Sequence, residues 1–227
     1  MKNLLFSVFV LLFSTQSIWA QTATISDPDG WTNVRKEPTG ESEVIHVVHE
    51  GEFFFWASPE MDMDPESEWA EVYIPTNKFS LEDGGSSPTL KGYIHRSRIL
   101  PIEEIPEYKG SDFSFAYASS AFKTEGKVIE YLDGDVHRIN GRQIYGNDLS
   151  TPGDQVDGIS VKIGSEKIEI HPVFYQDIFE CDNEFTVHKI GEWYIVNQWN
   201  SDGAGAYEIV WVIDKTGVVQ RLVGTVY

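Results

Sequence analysis

The sequence predicts an all-β protein built as two domains. Short runs rich in β-branched and aromatic residues recur along the chain, bounded by Gly, Pro, Asp and Ser. Successive runs are joined by tight-turn sequences at Ile163-Gly164-Ser165-Glu166, Ile190-Gly191 and Asp214-Lys215-Thr216-Gly217. No long run repeats its apolar residues at helical spacing.

In the first half the expected strands are Glu43–Val48, Gly51–Trp56, Trp69–Ile74 and Gly92–His95, after an opening strand near Thr24. Pro75–Leu90 is polar and contains Gly84-Gly85-Ser86-Ser87-Pro88, the composition of a loop. Leu100–Glu107 holds Pro101 and Pro106 among charged residues and is expected to be a linker, with the domain boundary at 101–110. The second domain, 111–227, carries expected strands at Lys127–Leu132, Gly158–Ile163, Lys167–Ile170, Glu184–Lys189, Glu192–Asn197, Ala206–Ile213 and Val218–Tyr227. Ser111–Lys123 favours a strand start, and Val173–Phe179 suits a helical turn or a loop.

Residues 1–20 have the order of a signal peptide. Lys2 precedes the apolar run Leu4–Phe13, and Ile18-Trp19-Ala20 closes it. The apolar stretch is shorter than the ~20 residues needed to span a bilayer. The expectation is an exported protein, periplasmic or secreted, with no membrane span once the signal is removed.

The 227 residues include 17 Lys plus Arg against 36 Asp plus Glu, a formal charge of −19. Such a surface lacks the clustered cations that nucleic acid or an anionic membrane requires. The lone cysteine, Cys181, excludes an intramolecular disulfide and a multi-thiolate metal site. Its neighbours Glu180, Asp182 and Glu184 oppose thiolate formation, so a small packing residue is expected.

The stretch 24–100 resembles the bacterial SH3-like domain, SH3b. The resemblance is carried by Asp29-Gly30-Trp31-Thr32-Asn33-Val34-Arg35-Lys36-Glu37-Pro38, Ser42-Glu43-Val44-Ile45, Gly51-Glu52, Trp69-Ala70-Glu71-Val72 and Lys91-Gly92-Tyr93-Ile94-His95-Arg96-Ser97-Arg98-Ile99. It implies an SH3-like barrel followed by an antiparallel sheet or sandwich. It also implies a binding module for cell-wall or peptide ligands, with a groove at Trp31, Trp69 and Tyr93, set against the reading in which these three aromatics pack in the core. The Pro75–Leu90 insertion departs from the family pattern. Alternation within Asn33-Val34-Arg35 itself places Val34 inward and Arg35 at the surface.

In the second half, Asn200-Ser201-Asp202-Gly203-Ala204-Gly205 lies between two apolar strands, flanked by Trp199 and Tyr207. A loop of this kind can enter a partner's cleft on aromatic anchors. Trp199, Asn200, Asp202, Gly203, Gly205 and Tyr207 are therefore candidate binding residues, set against an ordinary hairpin turn with its aromatics in the core. The acidic run Met61–Glu68 lacks the spacing of a calcium loop and reads as solvated. His46 and His49 fall on opposite faces of a strand. Ser119, Ser120, Asp133 and His137 lack a nucleophile-elbow motif. No catalytic residue, metal site or cofactor is expected.

The function expected from these features is non-enzymatic binding in the bacterial envelope. One form is an inhibitor or immunity-type protein whose negative surface meets a basic protein partner, such as a cationic enzyme or toxin. The alternative is peptidoglycan recognition, and an envelope hydrolase is a third class.

Overall fold

The computed structural model describes residues 21–59, 62, 64–81, 89–146, 150–200 and 206–225. Residues 1–20, which hold the expected signal peptide, lie outside them. The described residues contain no α-helix and are mostly antiparallel strand, so the protein is all-β.

The first seven strands are β1 (Gln21–Ile25), β2 (Trp31–Arg35), β3 (Val44–His49), β4 (Phe54–Trp56), β5 (Trp69–Pro75), β6 (Thr89–His95) and β7 (Ile99–Pro101). They form one sheet in the order β3-β2-β6-β5-β4-β1-β7. Alternation decides which side chains enter its core. In β5, Ala70, Val72 and Ile74 are buried, while Trp69, Glu71 and Tyr73 point the other way. Val34, Phe54, Trp56 and Ile94 join them in the first apolar cluster.

The second half holds β8 (Phe113–Ala121), β9 (Ile129–Leu132), β10 (Asp135–Ile139), β11 (Arg142–Gln143), β12 (Asp154–Ile163) and β13 (Glu166–Ile168). These are followed by β14 (Thr186–Ile190), β15 (Trp193–Asn200), β16 (Tyr207–Asp214) and β17 (Gly217–Thr225). The last four form a meander in chain order, as the turn sequences predict. β13-β12-β8 and β11-β10-β9 are separate three-stranded sheets. Strands β10 and β11 escape the sequence pattern because both are short and polar. The ambiguous 173–179 stretch starts inside a single 3-10 turn, Pro172–Phe174.

The β14–β17 sheet is the central layer. Every residue of β16 from Tyr207 to Ile213 is buried, so both faces of the strand are covered. Tyr207, Ile209, Trp211 and Ile213 pack with Tyr117, Val156 and Val161 of β8 and β12. Val210 and Val212, with Ile195 and Leu222, pack the opposite way against Phe53, Ile102 and Ile105. Each such side chain contributes about 1.5–3 kcal/mol when fully buried.

This third cluster takes in the segment after Leu100, where the linker is expected. β7 pairs with β1, and the 3-10 turn Ile102–Glu104 buries Ile102 completely. Ile105 follows at 4% exposure, with its carbonyl 2.7 Å from His188 Nδ1. The prolines do not stop regular structure, since β7 runs through Pro101 and a 3-10 turn follows, and the isoleucines between them are driven into the contact between the halves.

Polar bonds cross the same contact. Thr22 Oγ1 donates to Glu208 Oε2 at 2.6 Å, with both residues buried. Gln220 bonds the backbone of Phe53. Arg221, fully buried, donates to the carbonyls of Phe79 and Ser80 and to Asp177 Oδ1 at 2.7 Å.

Candidate binding groove

The outward face of the first sheet carries the candidate site. Val34 and Ile94 point into the core, so their neighbours Asn33, Arg35, Tyr93 and His95 point out. The ladder sets Trp69 opposite His95, and Tyr93 opposite both Arg35 and Glu71. Trp31 stands on the same face of β2 as Asn33 and Arg35.

An open groove of about 380 Å³ runs over this face. It is lined by Trp31, Thr32, Asn33, Arg35, Trp69 and His95 of the strands, together with Asp27, Asp29, Ser97 and Arg98 from the flanking turns. Trp31 is 43% exposed, a large apolar surface left in water within reach of any occupant. Trp69 is half-buried and meets the His95 ring edge-on, with centroids 5.4 Å apart. His95 Nδ1 lies 2.8 Å from Ser97 Oγ and also accepts the Ser97 N–H, capping the 3-10 turn Arg96–Arg98. That cap holds the imidazole against Trp69.

Charges of both signs line the groove. Arg98 pairs with Asp27 at 3.0 Å, and Asp27 also accepts the N–H of Asp29. Arg35 Nη1 donates to the Ser42 carbonyl at 2.6 Å, which fixes the guanidinium while leaving its other donors to a ligand. Beside the groove, Glu71 accepts from Tyr73 and from Lys91, the latter at 2.6 Å. Burial pushes the Glu71 carboxyl up, but the bonds from Lys91, Tyr73 and Tyr93 outweigh it and hold it below its ordinary range. Flat aromatic surfaces, a held guanidinium and carboxylates together suit a ligand with an apolar face and polar edges.

Of the residues expected in this groove, Trp31 and Trp69 line it together. Tyr93 stands beside it, its hydroxyl 3.5 Å from Glu71 Oε2. Sequence reasoning named none of the others as groove residues: Thr32, Asn33 and Arg35 of β2, and Asp27, Asp29, His95, Ser97 and Arg98. Their signal was weak, because Asp27–Gly30 reads as an ordinary turn and Arg98 as one surface cation.

The expected wedge around 199–207 is placed differently. Tyr207 is fully buried, tilted against Tyr145 with centroids 5.7 Å apart. Asn200 is 3% exposed, and its Nδ2 donates to Gln198 Oε1. Neither is a solvent-facing anchor, because the pleat of β15 and β16 turns both inward. Trp199 points out at 42% exposure. Asp202, Gly203 and Gly205 lie outside the described residues.

Cys181 is half-buried against the second-half core, and burial with nearby Asp182 pushes its thiol up to about 12. In the acidic run at 61–68, Asp62 turns in to pair with Arg96, so this residue is not solvated as expected. Ser119 and Ser120 sit on a different sheet from His137. Among the described residues, no three His, Cys, Asp or Glu side chains converge as a metal site would need. No helix among them is long and apolar enough to cross a membrane.

The chain matches no family model, no curated protein and no solved structure.

Proposed function

We propose that this is a non-enzymatic binding protein of the bacterial envelope, exported by its N-terminal signal. Its recognition surface is the groove between Trp31 and Trp69, and its ligand is a cell-wall glycan or peptide. The observation that carries this reading is Trp31 itself, an exposed indole in an open groove that also holds Trp69 and Arg35. The resemblance of 24–100 to SH3b domains supports the ligand class. A −19 chain equally suits encounter with a basic protein, but the buried Asn200 and Tyr207 remove two of the anchors expected for that role.

The test is sedimentation of the mature chain with purified peptidoglycan. Wild type is expected to pellet and to remain bound at moderate salt. Trp31→Ala is expected to stay in the supernatant, with its unfolding free energy within about 0.5 kcal/mol of wild type. A wild-type protein that does not pellet, or a Trp31→Ala protein that pellets equally well, overturns the reading.

A further inference from the structure

The described residues expose six large apolar side chains, and three of them, Val128, Tyr131 and Leu132, lie in or directly before one hairpin. The hairpin is β9–β10. Leu132 pairs with Asp135 across a two-residue turn in which Asp133 (φ 54°) and Gly134 (φ 100°) are both left-handed. That is the tight primed turn that continues the strand twist. Its base is anchored, since Val136 and Ile139 are buried with Phe179 and packed by Phe122, Ile129 and Ile144. Its tip is not covered. Tyr131 is 60% exposed and Leu132 is 57% exposed. As consecutive strand residues they point to opposite faces, so solvent reaches both sides of the tip.

A rigidly rooted tip with two bare apolar side chains is a poor arrangement for solubility and a good one for insertion. Its surroundings select the partner. Asp133, Gly134 and Asp135 are exposed at the turn, while Arg138 further down is spent on Glu130 at 3.8 Å. A second copy of this chain brings another −19 charge and the same two carboxylates against them. Edge-to-edge pairing is also disfavoured, because β9 has four residues with Glu130 among them. Charge complementarity instead favours a cleft rimmed by Lys and Arg.

We infer that the β9–β10 hairpin is an interaction surface that inserts Tyr131 and Leu132 into an apolar cleft of a cationic protein, with Asp133 and Asp135 facing its basic rim. This surface is separate from the Trp31 groove and does not depend on the function proposed for it.

The test replaces Tyr131 with a benzophenone-bearing side chain in the full mature chain. The labelled protein is irradiated with unfractionated extract and culture medium of the producing cells, and the adduct is identified by mass spectrometry. The expected adduct is a protein of basic isoelectric point, formed less as salt rises from about 50 to about 500 mM. Unlabelled wild type should compete it away, and Tyr131→Ala/Leu132→Ala should compete at least about tenfold less well. Both residues are more than half exposed, so circular dichroism should show that variant folded as wild type. Trp31→Ala should compete as wild type does, which separates this surface from the groove. Absence of an adduct, an adduct only with copies of this chain or with acidic proteins, or equal competition by the double variant overturns the inference.

Discussion

The side-chain amide of Gln220 is bonded at both ends to the backbone of Phe53: its Oε1 accepts the Phe53 N–H and its Nε2 donates to the Phe53 carbonyl, each at 2.8 Å. The two residues are 167 positions apart and both are buried. One side chain thus satisfies two main-chain groups at a place where β4 has not yet begun.

Replacing that amide by an isosteric apolar group strands both groups away from water. We expect Gln220→Leu to lower the unfolding free energy by about 2–4 kcal/mol, read from the urea midpoint. A loss below about 0.5 kcal/mol would show that water takes over the bonds.

Glu208 should make stability depend on pH in an unusual direction. Burial pushes its carboxyl up to about 7, with Glu103 adding to the rise and bonds from Thr22 and Asn197 opposing it. The folded chain therefore keeps a proton that the unfolded chain, at the ordinary 4.5, has already lost. The contribution is fully present below about pH 4.5, declines as pH rises through about 7 and is flat beyond. Wild type should lose on the order of 3 kcal/mol relative to Glu208→Gln across that window. Denaturation of both proteins at the two ends of the window checks it, and parallel pH profiles would contradict it.

Asp177 is 3% exposed and holds Arg221, with Arg142 at 3.8 Å on its other oxygen. Removing the carboxylate leaves a guanidinium buried without its counter-charge. Asp177→Ala should destabilise by about 3–5 kcal/mol. Asp177→Ala/Arg221→Met should recover part of that loss in a thermal melt, because Trp211 and the core can pack an apolar stem in place of the charge.

Gly51 has φ +79°, and a Cβ there would lie 2.4 Å from the Trp193 ring. Both the backbone conformation and the space require glycine. Gly51→Ala should destabilise by about 2 kcal/mol or more. The same change in a Trp193→Ala background should be milder, since the steric part is gone and only the backbone part remains.

Legibility from sequence followed the physics of covering. β5 is covered on one face, and its alternation of Ala70, Val72 and Ile74 with Trp69, Glu71 and Tyr73 was readable. β16 is covered on both, so its apolar run announced a strand without saying which side met which layer. Glu208 within that run gave no hint of its partner, because Thr22 lies 186 residues away. Ile102 and Ile105 were masked by the prolines and carboxylates around them. In the groove, the tryptophans could be named in advance. Asp27 and Arg98 could not, since it takes the turn of β1 into β2 and the end of β6 to bring them to 3.0 Å. Tyr207 misled because an aromatic beside glycines looks the same whether it is an anchor or core.

The placement of β1 between β4 and β7 has a bearing on how the chain is made. Its first pairing partner, Trp56, leaves the ribosome soon after it, but the acceptor for its Thr22 hydroxyl is among the last strands to arrive. Ala23 and Ile25 are covered by the other first-half strands well before that, and Thr24 accepts the Gly51 N–H. Thr22 alone waits for its acceptor, so the bond that ties this strand to the meander is among the last to close as the chain is made.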